Sequence, residues 1–425
     1  MEQTPKANRV HIGFFGRCNA GKSTLINMLT DQPVSLVSEV AGTTTDPVSK
    51  SMEILPLGPV VITDTAGIDD TSELGALRIE KSEEIIKKIN LAVYVLRNDE
   101  APTADDMIWL NTLKQNNVPI ALFINEINAS DSESAHDNDS NGNDTNLNYV
   151  DAYPDLSAIA TVVGSTDFTS NRDRLTLLDL LGGLTPLDVE GEQSLLQGLV
   201  DPGDTIILVC PIDSAAPKGR LILPQVQTIR EILDHKGLAL VCQTEELPTM
   251  LNKLSQKPKL VITDSQAFEA VNALTPADIP LTSFSILMAR FKGKLQDLVT
   301  GVKALNNLKP GARVLISEGC THRRQCDDIG TVKIPMWLKK KGHRDLQLEF
   351  TSGGAFPKDV SGYDLIIHCG ACMLTRREVL RRIDCAVVQG TPIVNYGVLI
   401  ASLHGILERA ISPFMDELDR KGFEC

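Results

Sequence analysis

Two groups of residues in this chain have the types and spacing that do chemistry. The first is Gly16-Arg17-Cys18-Asn19-Ala20-Gly21-Lys22-Ser23, followed by Thr24. It fits the pattern of glycine, four residues, Gly-Lys and then Ser or Thr. Its glycines let backbone N–H groups turn inward around a β-phosphate. Lys22 then reaches the β/γ oxygens, and the Ser23 hydroxyl ligates Mg²⁺. Asp64-Thr65-Ala66-Gly67 lies downstream, where Asp64 can hold Mg²⁺ through water and the Gly67 amide can sense a γ-phosphate. Between the two lies Gly42-Thr43-Thr44-Thr45-Asp46, and a threonine in such a loop closes over the metal. The three elements in this order indicate a nucleotide-hydrolysing domain.

The second group is Cys320-Thr321-His322 with His368-Cys369-Gly370-Ala371-Cys372. A lone C-x-x-C is a weak signal, compatible with a redox pair, half a zinc site or chance. Two clusters of ligand types in one domain are a stronger one. Three thiolates with one or two imidazoles allow a closed zinc shell. They equally allow an iron–sulfur cubane with one iron left for a weaker ligand.

These residues need elements to position them. Val10–Phe15 reads as a strand leading through the glycine-rich turn into a helix over 22–29. Pro59–Thr63, Leu91–Leu96 and Pro119–Ile124 read as further buried strands, a βαβ rhythm that predicts a parallel sheet covered by helices. Residues 129–148 are nearly all Ser, Asp, Asn and Gly and read as a disordered insertion. Thr205–Pro211, Leu238–Gln243 and Leu260–Thr263, separated by helices at 224–235 and 246–254, read as a second α/β unit with no clustered polar residues. Arg313–Ser317, Asp364–His368 and Cys385–Val388 read as strands of a third. There the ligand clusters follow strand ends, where open α/β sheets place their sites. The fold class is therefore α/β, with a mostly parallel sheet flanked by helices in each of three domains at 1–185, 186–285 and 286–425.

Composition narrows the function. The chain has 425 residues, 41 basic against 55 acidic, for a net charge of −14. Such a surface repels phosphate backbones and disfavours nucleic-acid binding. The N-terminus lacks the pattern of a signal peptide, and no apolar run approaches a membrane span. A cytoplasmic protein without a membrane partner is expected. Its nine cysteines are then thiols or metal ligands. Arg376, Arg377, Arg381 and Arg382 read as a solvated basic helix face, and His404 as a buried histidine in a helix over 398–410.

The asparagine Asn19, the Gly-Thr-Thr run and Asp64-Thr65-Ala66-Gly67 resemble the Era/TrmE class of GTPases. That resemblance implies that Thr44 ligates Mg²⁺ and that Asn19 helps to bind K⁺. The residue after Gly67 is Ile68, so a catalytic glutamine is missing. Slow, cation-assisted GTP hydrolysis is implied. The guanine motif departs from the usual Asn-Lys-x-Asp, reading Asn125-Glu126-Ile127-Asn128. Asn125 still reaches the base, but Asn128 cannot give the charge-assisted pair of a carboxylate. Weakened guanine selectivity is expected.

The whole pattern, C-x-H and H-C-x-x-C behind a GTPase domain, resembles the [FeFe]-hydrogenase maturation GTPases, as do residues 285–293 (SILMARFKG) and 327–335 (DDIGTVKIP). The resemblance implies that Cys320, Cys369 and Cys372 bind a [4Fe-4S] cluster. His322, His368 and Asp327 are candidate fourth ligands, with Cys326 a further thiol nearby. It also implies a middle domain that forms a homodimer. The function implied is a scaffold that receives a diiron precursor from radical-SAM maturases and delivers it to apo-[FeFe]-hydrogenase. The alternative is an RNA-modification or ribosome-assembly GTPase with a structural zinc.

Overall fold

The computed structural model describes residues 9–30, 48–54, 57–65, 85–126, 152–166, 171–184, 194–212, 221–319 and 328–418. The chain divides into two compact units, Met1–Glu192 and Gln193–Cys425.

The first unit is built on six strands: β1 (Val10–Phe15), β2 (Val48–Ile54), β3 (Gly58–Asp64), β4 (Leu91–Arg97), β5 (Ile120–Asn125) and β6 (Val162–Thr166). Their order is β2-β3-β1-β4-β5-β6. Only β2, which the sequence reading did not find, runs antiparallel to its neighbour. Strand side chains alternate between faces, and β1 shows the consequence. Val10, Ile12 and Phe14 join one apolar cluster with helix Lys22–Thr30, while Phe15 joins another with Trp109 and Leu110 of helix Ala104–Gln115. Both faces of the sheet are covered, which is why β4 reads as an unbroken apolar run over Leu91–Leu96.

The second unit carries two four-stranded sheets. One is ordered β10-β9-β7-β8, from β7 (Thr205–Val209), β8 (Leu238–Cys242), β9 (Leu260–Thr263) and β10 (Leu281–Ser283). The other is ordered β12-β11-β13-β14, from β11 (Arg313–Ser317), β12 (Gln347–Thr351), β13 (Leu365–His368) and β14 (Ile393–Asn395). Every pairing in both is parallel. A single apolar core runs through both sheets. Helix Phe284–Lys292 joins them. Ser283 caps its start, accepting from the Ile286 amide. It packs against helix Leu223–Asp234 on one side and helices Arg376–Val388 and Tyr396–Leu403 on the other.

Two expectations for this region are corrected. Cys385–Val388 is not a strand but the end of helix Arg376–Val388. Val379, Ile383 and Ala386 recur at helical spacing and are buried, whereas Val387 and Val388 are exposed. The helix expected over 398–410 breaks after Leu403 and resumes as Leu407–Ile411. Gly405 takes φ +73° there, the left-handed geometry that ends helices. Helix Leu295–Gly301 lies so close to β14 that a Cβ on Gly301 would sit 1.9 Å from the Ile393 carbonyl oxygen. Among the described residues no helix is long and apolar enough to cross a membrane.

Candidate functional site

The phosphate-binding loop joins β1 to helix Lys22–Thr30. Gly16 has φ +136°, and a Cβ there would lie 2.4 Å from the Val95 carbonyl oxygen, so no other residue fits. Asn19 is also left-handed, at φ 60°. Lys22 is buried, and its ammonium donates to the carbonyls of Gly16 (2.7 Å) and Arg17 (2.6 Å). The loop is held from outside as well. Arg17 meets Glu100 at 2.8 Å and the buried Asp106 at 3.3 Å. Asn125, from the end of β5, donates its amide to the Ala20 carbonyl at 3.1 Å, which brings the base-contacting motif to the phosphate loop.

Asp64 ends β3 beside this loop, where the backbone N–H and hydroxyl of Thr65 both donate to the Phe14 carbonyl. Burial raises the Asp64 pKa, and the nearby Lys22 charge partly offsets the rise. Its Oδ1 is buried without a hydrogen-bond partner. An orphaned buried carboxylate oxygen beside a phosphate loop fits a hydrated cation. Ser23 stands at the start of the helix, exposed. Thr44, Gly67 and Asn128 lie outside the described residues, as does the whole of 129–148.

The cysteine loop sits at the carboxyl edge of the last sheet. Parallel pairing brings the ends of β11, β13 and β14 together, with Ser317 opposite His368 and His368 opposite Asn395. Cys369 follows β13. Its Sγ accepts from the amides of Gly319 (3.0 Å) and Ala371 (3.3 Å). Ala371 adopts φ 55°, an uncommon left-handed turn that aims its N–H back at the sulfur. A sulfur that receives two backbone donors is arranged as an anion and fits a thiolate metal ligand. Burial without a metal pushes the Cys369 thiol up to about 11, against the pull of those two amides. It raises Cys372 as well, with the Lys292 charge opposing.

His368 is buried with both ring nitrogens engaged. Nδ1 lies 2.9 Å from the Cys369 carbonyl, and Nε2 lies 3.2 Å from Arg382. The Nδ1–H tautomer satisfies both contacts, donating to the carbonyl and accepting from the guanidinium. Burial and the adjacent guanidinium lower its pKa to about 4. Cys320, His322, Arg323, Cys326 and Asp327 lie outside the described residues. Among the described residues, no group of three or more His, Cys, Asp or Glu side chains is placed to hold a metal.

The arginine run is not a solvated face. None of Arg376, Arg377, Arg381 and Arg382 is exposed, and Arg382 is fully buried. Arg382 donates to Glu378 (2.7 Å) and to the Gly353 carbonyl (2.6 Å), and Ser317 lies at 3.4 Å. His404 is half-buried at a helix end, edge-on to Trp337 at 5.4 Å and 3.4 Å from Glu269. Sequence reasoning passed over three further neighbours of the cysteines. Glu318 is buried and accepts from the Tyr396 hydroxyl at 3.2 Å. Lys292 is buried beneath the cysteine loop. A lysine four residues after the core residue Met288, on the buried face of a mostly apolar helix, was the available signal for it.

Comparison with known proteins agrees with this division. The family of 50S ribosome-binding GTPases matches residues 11–126. A tRNA modification GTPase MnmE from Endomicrobium trichonymphae is 31% identical over 121 residues, 28% of this chain and 26% of that protein. GTPase Der from Wolinella succinogenes is 36% identical over 99 residues, 23% of this chain and 20% of that protein. The chain thus spans about a quarter of the length of the curated relatives it matches. A crystal structure of Aquifex aeolicus Era bound to GDP and AlF4⁻ aligns with 58% of this chain and 98% of its own, at 18% identity and a TM-score of 0.34, too weak a likeness to bear on the fold. The second unit matches the hydrogen maturase F dimerization domain over residues 195–293 and the tetramerization domain over 296–413. Those two domains occupy more than half of the sequence, behind a GTPase domain, and the chain belongs to the hydrogen maturase F (HydF) family.

Proposed function

We propose that the chain hydrolyses GTP and serves as a scaffold. In this reading it binds a [4Fe-4S] cluster, receives a diiron precursor from radical-SAM maturases and delivers it to apo-[FeFe]-hydrogenase. The observation that carries the reading is the Cys369 sulfur, held by two amides at the carboxyl edge of a parallel sheet. It lies inside the segment that matches the hydrogen maturase F tetramerization domain.

In the GTPase domain, Lys22 would exchange its two loop carbonyls for the β/γ-phosphate oxygens. Gly16, Asn19, Ala20, Gly21 and Thr24 would form the cradle, while Asn125 and Asn128 would contact the base. Ser23, Thr44 and Asp64 would hold Mg²⁺, Gly67 would report the γ-phosphate, and Asn19 would help to place K⁺. Hydrolysis biases loading or release in the second unit, as nucleotide switches do.

In the second unit Cys369 and Cys372 are ligands in this reading, with Cys320 the third. A three-cysteine cubane supplies an open iron where cargo can be held reversibly. His368 is the weakest candidate for the fourth position, because both of its nitrogens are already engaged. That leaves His322 and Asp327. The dimerization and tetramerization domains make the protein an oligomer, with a homodimer as its smallest assembly.

Iron, sulfide and zinc analysis, with EPR on anaerobically purified, dithionite-reduced protein, tests the reading. About four irons and four sulfides per chain, with a cubane signal lost in Cys369→Ala, supports it. One zinc and no signal after reconstitution overturns it in favour of a structural-zinc GTPase.

A further inference from the structure

Lys292 is 2% exposed, at the end of helix Phe284–Lys292. Its ammonium reaches three backbone carbonyls of one loop: Leu374 at 2.8 Å, Cys372 at 3.1 Å and Ala371 at 3.5 Å. That loop closes the C-x-x-C turn. No carboxylate among the described residues forms an ion pair with Lys292, in contrast to the nearby Arg382. Arg382, 0% exposed, is paired with Glu378.

A buried ammonium is costly to keep unless an anion compensates it. Burial lowers the Lys292 pKa to about 8, and negative charge on Cys372 and Cys369 opposes that fall. The carbonyls hold it by dipoles alone, which do not cancel its charge. A thiolate-ligated cluster brings net negative charge to the same place.

We propose that Lys292 is a positioning residue of the cluster site, pinning the cysteine loop through its carbonyls and supplying the fixed buried charge that balances the bound cluster. The inference rests on the cluster-binding reading above. It adds a residue outside the cysteine motif and a specific electrical role. A fixed cation stabilises the more negative, reduced cluster, so it raises the reduction potential. Three carbonyls also lock the loop's path between Ala371 and Leu374, which keeps Cys372 aimed at the site.

Full-length wild-type protein, Lys292→Met and Lys292→Arg are purified anaerobically. Iron and sulfide are counted, and the midpoint potential is read by EPR-monitored titration. Wild-type protein without iron–sulfur would end the cluster reading itself. If the wild type carries a cluster, Lys292→Met should lower its reduction equilibrium at least about tenfold, which is about 59 mV for one electron. Lys292→Arg should restore it. Loss of iron in a Lys292→Met protein that keeps wild-type circular dichroism, reversed in Lys292→Arg, supports the positioning role equally. Full iron content at an unchanged potential overturns the inference and leaves the cluster reading intact. If Lys292→Met fails to fold, Lys292→Gln replaces it, because its amide can still donate to the loop while the charge is gone. The same lowered or unchanged potential decides the matter.

Discussion

Replacing Arg382 with methionine tests whether the second unit is held by buried polar chemistry as well as by its apolar core. Arg382 is fully buried and makes contacts to four residues. Glu378 would not be orphaned, because Arg381 still grips both of its oxygens at 2.7 and 2.8 Å. Ser317 would also stay satisfied, since Thr351 donates to it at 3.0 Å. The Gly353 carbonyl and His368 Nε2 are the groups left without their donor. Each such loss costs about 1–3 kcal/mol. Together they come to about 2–6 kcal/mol, a range that spans the cost of stranding a buried charge, about 3–5 kcal/mol. Methionine refills most of the volume against Phe356, which the guanidinium now faces at 5.1 Å. We expect a net loss of about 3 kcal/mol. Arg382→Lys, which keeps the charge near Glu378 but not the fork, should lose about 1 kcal/mol. The chain has two tryptophans, Trp109 in the first unit and Trp337 in the second. In a Trp109→Phe background, Trp337 fluorescence reports urea unfolding of the second unit alone. At a slope of about 3 kcal/mol per molar urea, the midpoint should fall by about 1 M. A loss for Arg382→Met below about 0.5 kcal/mol would refute the reasoning.

Lys22→Ala should cut GTP turnover by about 100-fold or more, measured as phosphate release, because no other buried cation lines the described phosphate loop. Gly16→Ala should abolish nucleotide binding in a filter assay, since its Cβ would meet the Val95 carbonyl at 2.4 Å. Acid stability should depend on Glu378. Burial pushes its carboxyl up, but Arg381 and Arg382 outweigh that and bring it below the ordinary 4.5. Its contribution is present above about pH 4.5 and is lost as pH falls below that, so Glu378→Gln should flatten the acid limb of a stability profile there. Val241→Lys on the outer strand β8, where Leu238 and Val241 are exposed, should weaken self-association in sedimentation velocity. Unchanged association would place the dimer contact elsewhere.

The parts of this fold that were legible share a physical reason. Strands such as β4 and β11 are buried on both faces, so Leu91–Leu96 and Val314–Ile316 are unbroken apolar runs. The phosphate loop is legible because phosphate chemistry permits few residues at Gly16, Gly21 and Lys22. Strand β12 was missed although Leu346, Leu348 and Phe350 alternate with polar residues, because it lies at a sheet edge with no fully buried residue in Gln347–Thr351 and so carries no continuous apolar run. Strand β10, of three residues, is too short to show a period. Cys385–Val388 misled because four apolar residues in a row suit a strand, while the deciding signal, Val379 to Ile383 to Ala386, runs back through the arginines.

The charged residues around the cysteine loop are the harder lesson, because their meaning depends on partners far along the chain. Arg382 and Lys292 are both buried cations, and composition alone treats them as surface charge. What separates them is the company each keeps. Arg382 has Glu378 one helical turn away, a carboxylate it shares with Arg381, so it is ion-paired within its own helix and its remaining donors tie Ser317, His368 and Gly353 together. An ion-paired cation of that kind shapes a site through its geometry. Lys292 meets the cysteine loop across 80 residues of sequence and finds carbonyls, not a carboxylate. Dipoles hold a cation in place but do not cancel it. An uncancelled buried charge is stable only when the folded protein completes the balance with something anionic, and what faces Lys292 is the cysteine pair. Sequence alone could show neither cation's partner. With both partners known, one arginine is assigned to architecture and one lysine to the chemistry of the site.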